Sequence, residues 1–293
     1  MPPSITLRAH AKLNLALAVD RAIASGPRTG MHPIASWMVP IALADEVTVV
    51  RTDRDAMLDI RWADGRSVAW APEKDLAARA HRALEAEAGA RLGARIIIRK
   101  AIPDGGGLGG GSSDAAAVLR ALNELFDLGL SADRLRAIAS TLGSDIPFFI
   151  PDPPDATLRG ALVTGVGERI EPAPIREAIP VLLVFPPFGC PTAEVYRAFD
   201  ERPPPSFRDD EVSTLARAGV PDPDRLFNDL AGPAITVQPG LGPILERLRD
   251  GLNRPVHVSG SGSTLFCLGA TAEEAGPFLP EGCVAQGSSV LSS

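Results

Sequence analysis

The chain has 293 residues and a mass of 30.7 kDa, is 45% hydrophobic and 22% charged, and carries a net charge of −7 with a pI near 5.2. That balance describes a globular chain long enough for two domains, and its acidity argues against a partner held through a nucleic-acid backbone. No apolar run reaches the ~18 residues of a membrane span, and the opening MPPSITLRAHAKLN has no signal-peptide core. Cys190, Cys267 and Cys283 show neither CxxC nor metal spacing, so reduced thiols and a cytoplasmic location are expected.

Ile5 to Val19 reads as a strand. In AKLNLALAV, Leu13, Leu15 and Leu17 alternate with Lys12, Asn14 and Ala16, so the leucines share one face and Lys12 and Asn14 the other. Arg21 to His32 is rich in Gly, Pro and Arg and reads as a loop. Strands are expected at Glu46 to Arg51, Met57 to Trp62 and Arg95 to Arg99. A helix is expected from Lys74 to Ala88, with Leu76, Ala80, Ala83 and Leu84 on one stripe. Another runs from Ser113 to Phe126, capped by Ser112 or Ser113, with Val118, Leu119, Leu122, Leu125 and Phe126 on one face. Ser131 caps a third, and Gly143 is placed to end it.

Pro and Gly become dense at Pro151 to Pro154 and again at Pro172 to Pro180, and the domain boundary is placed in the second stretch, giving domains 1–172 and 173–293. Val181 to Phe185 starts a fresh strand, and Thr192 caps a helix bearing Tyr196 and Phe199. Arg202 to Asp210 reads as a mobile loop and Gly242 to Gly251 as a helix. Val256 to Val258 and Thr264 to Leu268 read as a hairpin around GSGS. The final Ser-rich residues read as a tail.

The strongest chemical signal is Gly105 to Gly111, six glycines in seven residues opening into a helix. Glycine is costly in the unfolded chain and is used where the backbone approaches a ligand or takes positive φ. A helix N-terminus adds free N–H donors and partial positive charge, so the segment is suited to a phosphate. It satisfies G-x-G-x-x-G through Gly105, Gly107 and Gly110. A dinucleotide loop would follow its strand at once and reach an acidic residue at the end of a second strand; here Lys100 to Asp104 intervenes, and Glu124 and Asp127 close a helix. No GK[ST] occurs, so the loop is not a Walker A motif either.

PDGGGLGGGSSDAA resembles the ATP-binding motif of the GHMP kinase superfamily, named for galactokinase, homoserine, mevalonate and phosphomevalonate kinases. Its triple-glycine form is similar to the branch acting on 4-diphosphocytidyl-2-C-methyl-D-erythritol. AKLNLAL, GSDIPFF at Gly143 to Phe149, the Asn228 to Leu230 segment and GSGSTLF at Gly260 to Phe266 resemble further motifs of that branch, in the same order. The resemblance implies an α+β, two-domain GHMP kinase fold, with an N-terminal part like ribosomal protein S5 domain 2 and a ferredoxin-like C-terminal part. It implies a site in the cleft between them, ATP and Mg²⁺, and transfer to the 2-hydroxyl of a small-molecule substrate bearing a cytidine diphosphate group. Lys12 and Asp145 match the catalytic pair. Pro103, Gly105, Gly106, Gly107, Leu108, Gly109, Gly110, Gly111, Ser112 and Ser113 match the ATP loop. Asn14, His32, Tyr196, Gly260, Ser261 and Gly262 match substrate-side positions. The branch carries Asp-Gly-Tyr-His where this chain has Thr29, Gly30, Met31 and His32, so Met31 would pack on a base without ring stacking.

Each residue also has a plainer reading. Asp145 can cap the turn at Pro147, Lys12 can be a solvated residue on a strand's polar face, and Tyr196 at helical spacing with Phe199 can be core. The GSGST segment can be a bare hairpin turn. Three rivals stay open: another small-alcohol kinase of the superfamily, a dinucleotide-dependent oxidoreductase, and a nucleotide-binding relative without turnover. The number of subunits is not set by the sequence.

Overall fold

The computed structural model describes residues 2–203 and 206–292. The chain forms two compact units from interleaved segments. The first comprises Met1–Ala11, Leu43–Ile102 and Gly109–Leu158; the second comprises Lys12–Ala42, Pro103–Leu108 and Arg159–Ser293. Two long strands, β1 (Ser4–Val19) and β2 (Ile34–Arg51), contribute residues to both. The expected strand at Glu46 to Arg51 is only the end of β2. Pro40 and the unbroken apolar run around it hid the rest, because a strand buried on both faces shows no alternation.

In the first unit, β3 (Met57–Trp62) is followed by α1 (Leu76–Ala88) and β4 (Ala94–Lys100). β3 and β4 pair in parallel, Met57 opposite Arg95 through Trp62 opposite Lys100. Parallel neighbours need a crossover, and α1 supplies it. The other edge of β4 pairs antiparallel with β2, from Glu46 opposite Arg99 to Arg51 opposite Ala94. α1 starts two residues later than Lys74: Asp75 is the cap, its carboxylate accepting from the Ala77 N–H at 2.8 Å. Gly89 closes the helix at φ 61°. Next come α2 (Gly110–Leu125) and α3 (Ala132–Ser140). Ser131 caps α3 as expected, and its hydroxyl accepts from the Arg134 N–H. α1 packs on α2, and the buried residues of the two helices include Ala77, Ala80 and Leu84 on α1 and Ala115, Leu119 and Leu122 on α2. Alanine at the contact brings the backbones close, and each fully buried leucine contributes about 2 kcal/mol.

The second unit begins its own elements with the hairpin β5 (Ala161–Gly165) and β6 (Arg169–Pro172), then β7 (Ile179–Phe185). α4 (Thr192–Asp200), α5 (Asp209–Ala218), β8 (Phe227–Asn228), α6 (Ala231–Val237) and α7 (Leu241–Leu252) follow. The chain continues through β9 (His257–Val258), β10 (Leu265–Leu268), α8 (Ala272–Ala275) and β11 (Val284–Val290). β7 lies between β10 and β11, antiparallel to both. β9 and β10 form the expected hairpin around GSGS. β5 pairs with β2, and β8 lies parallel to β1 with Ala16 opposite Phe227.

Several expectations change. The Ser-rich end is no tail: Ser288 and Ser289 pair with Val181 and Pro180 inside β11. The Arg202 to Asp210 segment is a loop only in part, because α5 starts at Asp209; Pro204 and Pro205 lie outside the described residues. Thr192 does not cap α4; Pro191 holds that position without a side-chain bond. Among the described residues no helix is long and apolar enough to cross a membrane.

Candidate active site

Two stretches of the second unit meet the glycine loop. β1 passes beneath it, the Lys12 N–H donating to the Leu108 carbonyl at 2.9 Å. The turn after β9 grips it: the Ser259 hydroxyl donates to the Gly107 carbonyl at 3.2 Å, and the Thr264 N–H to the Gly106 carbonyl at 3.2 Å. Glycine is mandatory here. Gly107 sits at φ 72°, and a β-carbon on it would overlap the Ser259 carbonyl oxygen. The GSGST turn is therefore more than a hairpin connection, since it shapes the loop.

Lys12 is not solvated. It is 3% exposed and Asn14 2%, because the glycine loop and the Gly260 turn lie against that face of β1. The Lys12 ammonium donates to the Gly107 carbonyl at 2.8 Å and to Asn14 Oδ1 at 2.5 Å. Asn14 Nδ2 donates to the Ser36 hydroxyl at 2.8 Å, and Ser36 donates to the Ala16 carbonyl at 2.9 Å. A β-carbon on Gly260, whose φ is 55°, would lie 3.0 Å from the Lys12 nitrogen. Lys12, Asn14, Gly107 and Gly260 thus converge. Ser261 faces the Thr192 hydroxyl at 3.0 Å, and Asn228 fixes the turn by donating to the Val258 and Gly260 carbonyls.

A second cluster of the same unit gathers His32, Tyr196 and Phe199. The His32 ring lies 4.9 Å from Tyr196 and 5.8 Å from Phe199. Its Nε2 is 2.7 Å from Asp200 Oδ1. Tyr196 and Phe199 do not share a fate: Phe199 is core, whereas Tyr196 is half-buried. Met31 beside His32 is 38% exposed.

Asp145, Ser112 and Ser113 belong to the first unit. Asp145 stands at the head of the 3-10 turn Ile146–Phe149, half-buried, and makes no side-chain cap bond. The capping reading is thereby removed. Neither serine caps α2, because the helix begins inside the glycine run with Gly109 as its cap at φ 71°. Ser112 is half-buried and Ser113 buried. Gly110, Gly111 and Ser112 form the first turn, whose N–H groups have no carbonyl one turn back. Among the described residues no set of three or more His, Cys, Asp or Glu is grouped to hold a metal.

Sequence reading missed a buried cluster at the root of the loop. Lys100, at the end of β4, donates to Asp45 and, at 2.6 Å, to Asp114 of α2. Asp45 also accepts from the N–H groups of Ala101 and Ile102, the two residues before Pro103. Asp114 Oδ1 has no partner among the described residues. Burial pushes the Asp114 carboxyl up to about 8; Lys100 opposes the shift, and Asp45 and Asp75 add to it. The aspartate in GSSDAA was visible in the sequence, but its partners lie 14 and 69 positions away (114 − 100 and 114 − 45).

The geometry also removes the dinucleotide reading, since α2 leads into α3 rather than into a second strand with an acidic end. A profile described as the GHMP kinases N terminal domain matches residues 75–151. A Chromobacterium violaceum protein named 4-diphosphocytidyl-2-C-methyl-D-erythritol kinase is 35% identical over 91% of this chain and 87% of its own length. A Thermus thermophilus protein of the same name is 37% identical over 89% and 86%. A crystal structure described as 4-(cytidine 5'-diphospho)-2C-methyl-D-erythritol kinase superimposes with a TM-score of 0.73 at 33% identity, covering 98% of this chain and all of that one. Homoserine kinase from Cytophaga hutchinsonii, at 17% identity and a TM-score of 0.69, shares the fold. The two-unit α+β architecture is the GHMP kinase fold, and the chain belongs to the 4-diphosphocytidyl-2-C-methyl-D-erythritol kinase family of that superfamily.

Proposed function

We propose that the protein transfers the γ-phosphoryl group of ATP to the 2-hydroxyl of 4-diphosphocytidyl-2-C-methyl-D-erythritol, in non-mevalonate isoprenoid precursor biosynthesis. The observation that carries this is the buried Lys12 ammonium bound to the Gly107 carbonyl. It sets a fixed positive charge against the backbone of a loop suited to phosphates. Lys12 offsets the charge that develops on the transferring group, Asp145 takes the hydroxyl proton, and the N–H groups of Gly109 to Ser112 hold the phosphates. His32 and Tyr196 receive the cytosine, and Gly260, Ser261 and Gly262 close on the substrate side. The chemistry of the donors fits Mg²⁺, which keeps its waters and asks for one or two protein oxygens beside the phosphates. The half-buried Ser112 would hold it, and its role is to neutralise phosphate charge. We assign Lys12, Asn14, His32, the ATP loop and Asp145 to the domain 1–172 and Tyr196 with the GSGST turn to 173–293, and place the protein in the cytoplasm without a nucleic-acid partner.

Met31 favours one alternative, a related small alcohol as acceptor, because it stands where the family carries a stacking tyrosine. An ADP-release assay with Mg-ATP decides. Release that depends on the diphosphocytidyl substrate, and not on homoserine or mevalonate, is the expected result. Release with either of those and none with the cytidine compound would replace the acceptor.

A further inference from the structure

Ser36 has no expected role, yet it is fully buried on β2 between Ala35 and Trp37. An alanine would suit that environment as well, and a buried hydroxyl must be satisfied or it costs stability. Its single proton goes to the Ala16 carbonyl, which can only accept. Ser36 therefore offers Asn14 nothing but lone pairs. Asn14 must turn its NH₂ toward Ser36, and its oxygen must then point the other way, to the Lys12 ammonium. The direction of the whole chain follows from one backbone carbonyl. A flipped Asn14 would set its NH₂ against the ammonium and its oxygen against a hydroxyl with no proton to give, losing two buried hydrogen bonds. Gly260 leaves little room for the pair to move aside, since a β-carbon there would be 3.0 Å from the Lys12 nitrogen and 3.2 Å from Asn14 Oδ1.

We infer that Ser36 is a positioning residue, fixing the amide orientation of Asn14 and through it the Lys12 ammonium at the phosphate loop. Asn14 spends its oxygen on Lys12, so it supports the lysine besides any contact with substrate. The inference rests on the proposed action of Lys12 on the transferred phosphoryl group.

The test measures kcat, both KM values and the melting temperature for Ser36→Ala, Ser36→Thr and Lys12→Met, and for Asn14→Asp alone and combined with Ser36→Ala. Ser36→Ala is expected to lower kcat about tenfold with the ATP KM within about twofold. Ser36→Thr, which keeps the hydroxyl, restores most of it. Aspartate has two equivalent oxygens and no orientation to lose, so Ser36→Ala on the Asn14→Asp background costs less than about twofold further. Wild-type kcat in Ser36→Ala beside an inactive Lys12→Met would overturn the inference and leave the function standing. An equal loss on both backgrounds would also overturn it, as would a loss that merely tracks melting temperature. An active Lys12→Met would overturn the role of Lys12 itself, and the inference with it.

Discussion

Gly111 separates the demands of folding from those of ligand binding. It is the second residue of α2, lacks positive φ, and a β-carbon on it would meet only Leu76 Cδ1, at 3.7 Å. That is ordinary van der Waals contact, so nothing in the protein's own packing requires glycine there. Glycine carries an entropic cost in the unfolded chain, and Gly111→Ala should stabilise the free protein by about 0.5 kcal/mol, raising its melting temperature by about 1 °C. A triphosphate drawn onto the first-turn N–H groups would meet the added methyl. Loss of one close backbone contact costs about 1.4 kcal/mol, a tenfold rise in the ATP KM. Gly107→Ala is the control: positive φ and the Ser259 carbonyl make it destabilising by roughly 1–3 kcal/mol before any ligand arrives. The assay is thermal melting with and without Mg-ATP, alongside ATP KM. A Gly111→Ala protein that melts higher and binds ATP as well as wild type would refute the view that this glycine is kept for the phosphates.

Asp114 predicts a pH dependence. Its carboxyl is raised from the ordinary 3.8 to about 8, so the folded state keeps a proton that the unfolded chain gives up above about pH 4. Its contribution to stability is present below the unfolded value and is lost as pH climbs toward 8. The melting-temperature gain of Asp114→Asn over wild type should grow from pH 5.5 to 8.5; a flat difference would contradict the assignment. Tyr196→Ala removes the ring beside His32, and stacking on a base is worth about 1–3 kcal/mol. The KM for the cytidine substrate should rise at least about fivefold with the ATP KM little changed, and an effect confined to ATP would move the base site elsewhere.

Period-two alternation made β1 legible, and glycine density made the loop legible, because both signals are local. What failed was reading polarity as exposure. Lys12 and Asn14 alternate with leucines, which ordinarily marks a wet face, but the glycine loop and the Gly260 turn lie against that face and bury it. The first half of β2, around Pro40, carries no alternation, so Ser36 gave no sign of itself. β11 is written Val-Ala-Gln-Gly-Ser-Ser-Val and acquires its strand identity from β7, a tertiary effect on a weak local preference. The serines after the loop looked like a helix cap, yet glycine at positive φ started α2 earlier and left Ser112 in the first turn. Asp45 and Lys100 lie 55 positions apart, and only the pairing of β2 with β4 brings them together.

The buried ion pair of Lys100 with Asp45, beside the protonated Asp114, adds little net stability, since desolvation offsets its Coulomb gain. Its value is positional. Asp45 fixes Ala101 and Ile102 by their N–H groups just before the loop begins, and Asp114 fixes the helix into which the loop opens. The loop is thus tied at its root within the first unit, while Ser259, Thr264 and Lys12 tie its carbonyls within the second.

The most direct test is single-turnover ADP release with Mg-ATP and 4-diphosphocytidyl-2-C-methyl-D-erythritol, comparing wild type with Asp145→Asn. Substrate-dependent release in wild type that falls at least about a hundredfold in Asp145→Asn, with ATP still bound, is the expected result. Equal rates in the two proteins would contradict Asp145 as the proton acceptor, and no release from wild type would contradict the assigned reaction.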